Sequence, residues 1–326
     1  MTERIPEIIS QIEHEHNIKI LFAVESGSRV WGMDSPDSDY DIRGVFVSKN
    51  PLTRSSVFLR DSKSITIDGF TSDRKYDWVF WDITTFLRLL KNNNPTAVDW
   101  IISDICYIGE EKLIETRKLF LKNCDINYYL IHHYGLLRSM YEKFVNPLRR
   151  SKRALDDRDY RQGIKNIHDH ADALQVSNPE KAGNLLDNIT SNIAVMRGIL
   201  ESTYHLEVEK SESHIKKILY VCRSAICIEY ILQNEEFSPL DLMKGFDRIT
   251  IDFDRSNFTE LLAIKRRTKE LEPCMCPDWM TEWYNKLSAI MKRKCISIKK
   301  NKKIDIPEGV YVEYYLESVR SLDGSV

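Results

Sequence analysis

The sequence lacks any apolar run that could cross a membrane. A spanning helix needs ~20 such residues, and the longest stretches, Ile20 to Val24 and Ala225 to Leu232, are short or interrupted by charge. The opening residues Met-Thr-Glu-Arg-Ile-Pro lack the apolar segment of a secretory leader, so a cytoplasmic chain with no membrane partner is expected. Neither sign of charge dominates. The net charge is −2, so any grip on nucleic acid must come from local patches. The seven cysteines are odd in number and have no framework spacing, which reads as reduced thiols. Cys274-Met-Cys276 is too tight for a zinc knuckle. His132-His133 and His168-x-His170 miss the i, i+3 or i, i+4 spacing of a helical zinc site and read as structural or surface residues. There is no internal repeat, P-loop, Gly-x-Ser-x-Gly elbow or Ser-His-Asp order.

What is present is a soluble-type composition, 42% apolar and 29% charged, which excludes collagen-like, mucin-like and wholly disordered classes. At 326 residues, two domains are expected. Ile5, Ile8, Ile9 and Ile12 have helical spacing over 3–16, with Pro6 tolerated in the first turn. Ile18 to Val24 reads as a buried strand, and Tyr40 to Val47 as a second. Ile65-Thr-Ile67 reads as a third with Asp68-Gly69 as its turn, and Lys75 to Phe80 as a fourth. Asp82 is placed to cap a helix carrying Phe86, Leu87, Leu89 and Leu90, which Asn92-Asn-Asn-Pro95 ends. Beyond residue 110 the pattern turns helical: 110–124, 127–147, 154–175, 180–203, 211–234, 255–271 and 278–293. Gly and Pro are sparse there and mark the breaks, while Gly309 to Leu316 has the β-branched and aromatic character of a last strand. The chain is thus α+β: a mixed sheet with helices at 1–108, then a mostly α-helical domain at 109–326.

The chemistry lies in Glu25-Ser-Gly-Ser-Arg-Val-Trp-Gly and, about ten residues later, Asp37-Ser-Asp-Tyr-Asp-Ile-Arg. A buried strand runs into Gly27-Ser28, where Gly27 permits close backbone approach and successive N–H groups can cradle an anion. A helix starting there would add a favourable dipole, and Ser28 offers a hydroxyl. Residues two apart on a strand share a face, so Asp39 and Asp41 project together. Paired carboxylates repel unless a cation lies between them, and hard oxygen ligands suit Mg2+ or Mn2+. An Asp-Ser-Asp run can also be a plain turn, since both residue types favour turns. Joined to the stretch from Glu25 to Gly32, the carboxylate pair points to nucleotidyl transfer, with the Gly-Ser turn for the outer phosphates and the carboxylates for metal at the α-phosphate.

These motifs resemble the DNA polymerase β-like nucleotidyltransferase superfamily, in its branch of predicted nucleotidyltransferases also called RNA-ligase-associated proteins. The likeness is strong over about residues 17–105 and 211–235, with Trp81-Asp82-Ile83, Asn94-Pro95 and Lys216-Lys-Ile-Leu-Tyr-Val-Cys-Arg223 in support, while 176–205 reads as an insertion. The resemblance implies a mixed sheet with helices on one side and a third carboxylate on a neighbouring strand. Asp77 fits that place, alternating with Val79 against Trp78 and Phe80; Asp82, Asp68 and Asp73 are its competitors. It implies that Asp39 and Asp41 bind two metals, and that Asp77 helps bind one and acts as general base. A nucleoside monophosphate would then pass from an NTP, ATP included, to a hydroxyl of an RNA end, a protein or a small molecule, releasing pyrophosphate.

Other residues keep two readings. Arg43 shares a face with Asp39 and Asp41, as a counter-ion or a phosphate ligand. Arg29 reaches a phosphate or is solvated. Lys216, Tyr220 and Arg223 recur on one helix face, where they hold a triphosphate and stack a base or form an amphipathic surface. Basic patches lie near Arg149 to Arg153, Lys265 to Lys269 and Lys292 to Lys303, the last a solvated linker or a nucleic-acid contact. Two further classes remain open: a nucleotide- or RNA-binding module without turnover, and an antitoxin-like enzyme that modifies a partner protein.

Overall fold

The structure, a computed structural model, describes residues 4–50, 65–145, 213–268, 273–274, 276–298 and 307–323. Helix α1 (Arg4–His16) leads into β1 (Ile18–Glu25) and β2 (Tyr40–Ser48), and β3 (Thr66–Phe70) into β4 (Tyr76–Asp82). Helices α2 (Ile83–Lys91) and α3 (Pro95–Ile102) precede the short strand β5 (Cys106–Ile108). The helical part contains α4 (Glu110–Phe120), α5 (Ile126–Phe144), α6 (Ile215–Asn234), α7 (Leu242–Phe246), α8 (Arg255–Arg267), α9 (Asp278–Ser297) and α10 (Glu308–Asp323). The sheet order is β3-β4-β2-β1-β5; β2 and β4 are parallel and the other pairs antiparallel.

The apolar pattern decides what covers each face. Ile5, Ile8, Ile9 and Ile12 bury one stripe of α1 against Ile18, Ile20, Ile42, Phe46 and Phe80. Phe22, Val24, Val45 and Val47 pack on the other face, with α2, α3 and the later helices. On β1 this needs a change of parity, because Ile20 and Phe22 would share a face in a regular strand. The register shift between Ile20 and Phe22 supplies it. The helices therefore cover both faces of the sheet, where the family resemblance implies one. The larger core passes from Phe22 and Phe86 to Leu137, Ile218 and Tyr314 without a break at residue 108. No described helix is long and apolar enough to cross a membrane.

Three local expectations are corrected. Gly309 to Leu316 is helical, because Tyr311, Tyr314, Tyr315 and Ser318 are buried at helical spacing; Tyr314 Oη lies 2.6 Å from Thr116 Oγ1. Asp68-Gly69 lies within β3 rather than at its turn, since the Trp78 indole lies where a Gly69 side chain would stand. The hairpin turn falls at Thr71 to Lys75. Lys265 is no surface residue: it is fully buried with Nζ 2.7 Å from Ser35 Oγ, while Arg266 stays exposed and binds the Gly32 carbonyl. The helices expected at 154–175 and 180–203, the insertion at 176–205, Arg149 to Arg153 and Lys299 to Lys303 lie outside the described residues.

Phe86 is fully buried with its ring edge-on to Phe22, centroids 5.7 Å apart. Phe86→Ala is expected to lower the unfolding free energy by about 3–5 kcal/mol in urea denaturation; a loss below ~1 kcal/mol would show that this face is not tightly packed.

Candidate active site

The site begins where β1 stops. Ser26 N–H continues the ladder to the Asp41 carbonyl at 3.0 Å. The chain then makes one turn: Trp31 N–H donates to the Gly27 carbonyl at 3.3 Å and Met33 N–H to that of Ser28 at 3.0 Å. Gly32, at φ +66°, closes it in the manner of a helix C-cap. The turn is too short to develop a helix dipole, so an anion here would meet only local N–H groups. Gly27 N–H is turned inward to Glu25 Oε1 at 3.0 Å. The amides heading the turn are those of Ser28, Arg29 and Val30, which a single turn leaves without partners of its own. Gly27 must lack a side chain, because a Cβ there would stand 1.8 Å from Asp41 Oδ2.

Asp41 and Asp77 are register partners on the parallel strands β2 and β4. Each gives one oxygen to Arg43: Nη2 to Asp41 Oδ1 at 2.7 Å and Nη1 to Asp77 Oδ1 at 2.6 Å. Arg43 also donates to the carbonyls of Ile42 and Asp77. Burial raises the Asp41 pKa; Arg43 opposes this, while Asp39 and Asp77 add to it and Lys216 pulls it down. The three acidic groups thus sense one another, but they are not closed into a cage. Among the described residues no three acidic, His or Cys side chains are gathered to hold a metal. The guanidinium meets the charge of both carboxylates, which is the counter-ion reading of Arg43.

Arg29 is spent on its own loop, where Nη1 pairs with Asp34 Oδ2 at 3.5 Å. Its guanidinium donates to the carbonyls of Asp39 at 3.0 Å and Ser38 at 2.6 Å, and lies 3.9 Å from the Tyr40 ring centroid. It pins the loop that carries Asp39 instead of reaching outward. Of the expected helix face, Lys216 comes within electrostatic reach of Asp41. Tyr220 meets the Trp31 ring edge-on at 5.7 Å. Arg223 faces inward in place of the phosphate contact its spacing suggested: it pairs with Asp99 Oδ2 at 3.0 Å and lies 4.3 Å from the Trp31 ring. Tyr129 donates to the other Asp99 oxygen. Asp82 caps α2 through Thr84 N–H at 2.9 Å, which leaves Asp77 as the strand carboxylate beside Asp41. His133 is buried in α5, away from any metal cluster among the described residues.

A family model described as RlaP, the RNA repair pathway DNA polymerase beta family, matches residues 1–308. The chain belongs to that family. The uncharacterized protein YcgL of Bacillus subtilis (strain 168) is 39% identical over 107 residues, 33% of this chain and 39% of that protein. The match thus spans well under half of that relative's length. The crystal structure of a nucleotidyltransferase-like protein from Exiguobacterium sibiricum 255-15 aligns over 99% of this chain and 89% of its own. At 10% identity and a TM-score of 0.27 that likeness is too distant to bear on the site.

In this RlaP-family chain, sequence reasoning passed over Glu25 and Tyr107. Glu25 is fully buried; Oε1 accepts from Gly27 N–H and, at 3.1 Å, from Asp41 N–H, and Oε2 accepts from Tyr107 Oη at 2.5 Å. The available signal was a charged residue ending an otherwise apolar strand. Burial, strengthened by the Asp41 charge, lifts the Glu25 pKa from 4.5 to about 7 against the hydrogen bonds that lower it. The folded state therefore keeps a proton that the unfolded chain releases near pH 4.5. This contribution to stability is complete below that pH and is lost as pH rises through about 7. Urea unfolding across this range is expected to show a fall in stability on the order of 3 kcal/mol that Glu25→Gln removes. An unchanged slope in the variant would contradict it.

Proposed function

We propose that this chain transfers a nucleoside monophosphate from an NTP to a hydroxyl acceptor and releases pyrophosphate. The observation that carries the reading is the register pair Asp41–Asp77, held around the Arg43 guanidinium with Asp41 set directly against Gly27 of the turn. The donor set fits a hard divalent cation. Its ligands are carboxylates, and their mutual charge already requires a positive group, which Arg43 supplies. Asp39, Asp41 and Asp77 would hold Mg2+ or Mn2+, which when bound neutralises charge developing at the α-phosphate. The Ser28 hydroxyl and the amides of the turn bind the outer phosphates, and Lys216 approaches the same oxygens from α6. Tyr220, half-buried beside Trp31, borders the base.

In this reading the acceptor hydroxyl loses its proton to Asp77, whose carboxylate is 42% exposed and gives only one oxygen to Arg43. The oxygen attacks the α-phosphorus in line. The bond to the bridging oxygen breaks, and its electron pair leaves with pyrophosphate. The family's description as an RNA repair pathway supports an RNA end as acceptor. A second reading, a nucleotide- or RNA-binding module without turnover, is favoured by Arg43 itself, which closes on both carboxylates.

Purified protein given each labelled NTP, Mg2+ and RNA with a free terminal hydroxyl is expected to release pyrophosphate and label the RNA. Asp41→Ala is expected to lower the rate by about a hundredfold or more. Tight NTP binding with no turnover on any acceptor would establish the binding module instead, and label on a co-purifying protein would establish a partner-modifying enzyme.

A further inference from the structure

The two halves of the site come from different stretches of chain. The anion cradle follows β1, and the metal-facing carboxylate of Asp41 rides on β2. Their ladder ends at the pair Glu25–Ile42 and the bond from Ser26 N–H to the Asp41 carbonyl, so regular strand pairing stops short of Gly27. One side chain spans the gap. A carboxylate oxygen has two acceptor directions, and Glu25 Oε1 uses one for Gly27 N–H at 3.0 Å and the other for Asp41 N–H at 3.1 Å. Glu25 is itself held from behind: Tyr107 donates to Oε2, Ser103 Oγ donates to the Glu25 carbonyl at 2.7 Å, and Glu25 N–H reaches the Ile105 carbonyl at 3.0 Å. Three sides of the residue are thus tied to the segment 103–107.

We infer that Glu25 is a positioning residue that sets the separation between the Gly27–Ser28 cradle and the Asp41 carboxylate. This rests on the nucleotidyl-transfer reading of the site. Glu25 does not touch the reacting atoms; it acts through two backbone amides. The role is one of reach, not of charge. Glutamine keeps a carbonyl oxygen with two acceptor directions and turns its amide towards the Tyr107 oxygen, which can accept. Aspartate keeps the charge but is shorter by one methylene, and two bonds of normal length cannot then be made from one oxygen. Charge and reach therefore predict opposite orders for these two variants.

The test uses the full chain and Mn2+ alone, with free Mn2+ followed by electron paramagnetic resonance and Asp41→Ala as the control that locates the ion. Glu25→Gln is expected to bind Mn2+ as the unmodified protein does, and Glu25→Asp about tenfold more weakly. The amides of Gly27 and Asp41 are expected to exchange faster only in Glu25→Asp. Equal affinity in Glu25→Asp, or weakening confined to Glu25→Gln, would overturn the inference and leave the nucleotidyl-transfer reading intact. Failure of the unmodified protein to bind Mn2+ would overturn that metal site first, and the inference with it. Should Glu25→Asp not fold, hydrogen exchange on the unmodified protein decides: the Gly27 amide must be as protected as strand amides, although it sits in a turn, and rapid exchange there refutes the role.

Discussion

Two carboxylates on adjacent parallel strands, in register and half-buried, repel each other. That repulsion is the constraint around which this molecule is arranged. Asp41 and Asp77 are such a pair, and strand pairing gives them no means of separating. The compensation is one planar guanidinium, with a separate nitrogen for each carboxylate at 2.7 and 2.6 Å. A lysine at position 43 would offer a single point charge to both acids, whereas the fork of Arg43 has the width to meet each one. The same crowding dictates glycine at position 27, because Asp41 fills the space that any larger residue would need.

The sheet reaches this arrangement through a break in its own regularity. Ile18 and Ile20 serve the face covered by α1, while Phe22 and Val24 serve the face covered by the other helices. Without the register shift between Ile20 and Phe22, one of these sets would lie on the wrong side. On β2 and β4 the alternation is unbroken. Asp41 and Arg43 share the face of Val45, which is the face that the helical part covers. Lys216 reaches the acids for this reason: it begins the helix that covers their face of the sheet.

Much of this was legible in the sequence because it is local. A strand ending in Gly-Ser, and a second strand opening with Asp-x-Asp, each follow from residues within one short window. Asp82 as a cap is likewise a local fact, borne out by its bond to Thr84. What resisted were residues whose role depends on what faces them. The spacing of Tyr220 and Arg223 gave their shared side of a helix but not the Trp31 ring that meets it. Arg29 looked free to bind phosphate because sequence does not display the carbonyls of Ser38 and Asp39. The last segment looked like a strand from its residue types. Burial of Tyr311, Tyr314 and Tyr315 against Phe120 and its neighbours settled the period.

The helical part does more than cover the sheet, since it holds the turn that carries Ser28. Arg266 binds the Gly32 carbonyl, Leu242 N–H binds that of Trp31, and Lys265 reaches Ser35. These ties differ in weight. The Arg266 contact is exposed, and surface contacts of charged groups contribute about 0–1 kcal/mol. Arg223 is partly buried between Asp99 and the Trp31 ring, and Lys265 is fully buried at Ser35 Oγ, where an amine left without its partner is costly. The ties made away from solvent therefore outweigh the exposed one in holding the turn. Helix α6 holds the Trp31 ring through Arg223 and places Lys216 near Asp41 about two helical turns earlier. The same helix therefore places Lys216 and the far end of the turn at Trp31, while Glu25 and the bond from Ser26 N–H to the Asp41 carbonyl fix its near end against β2.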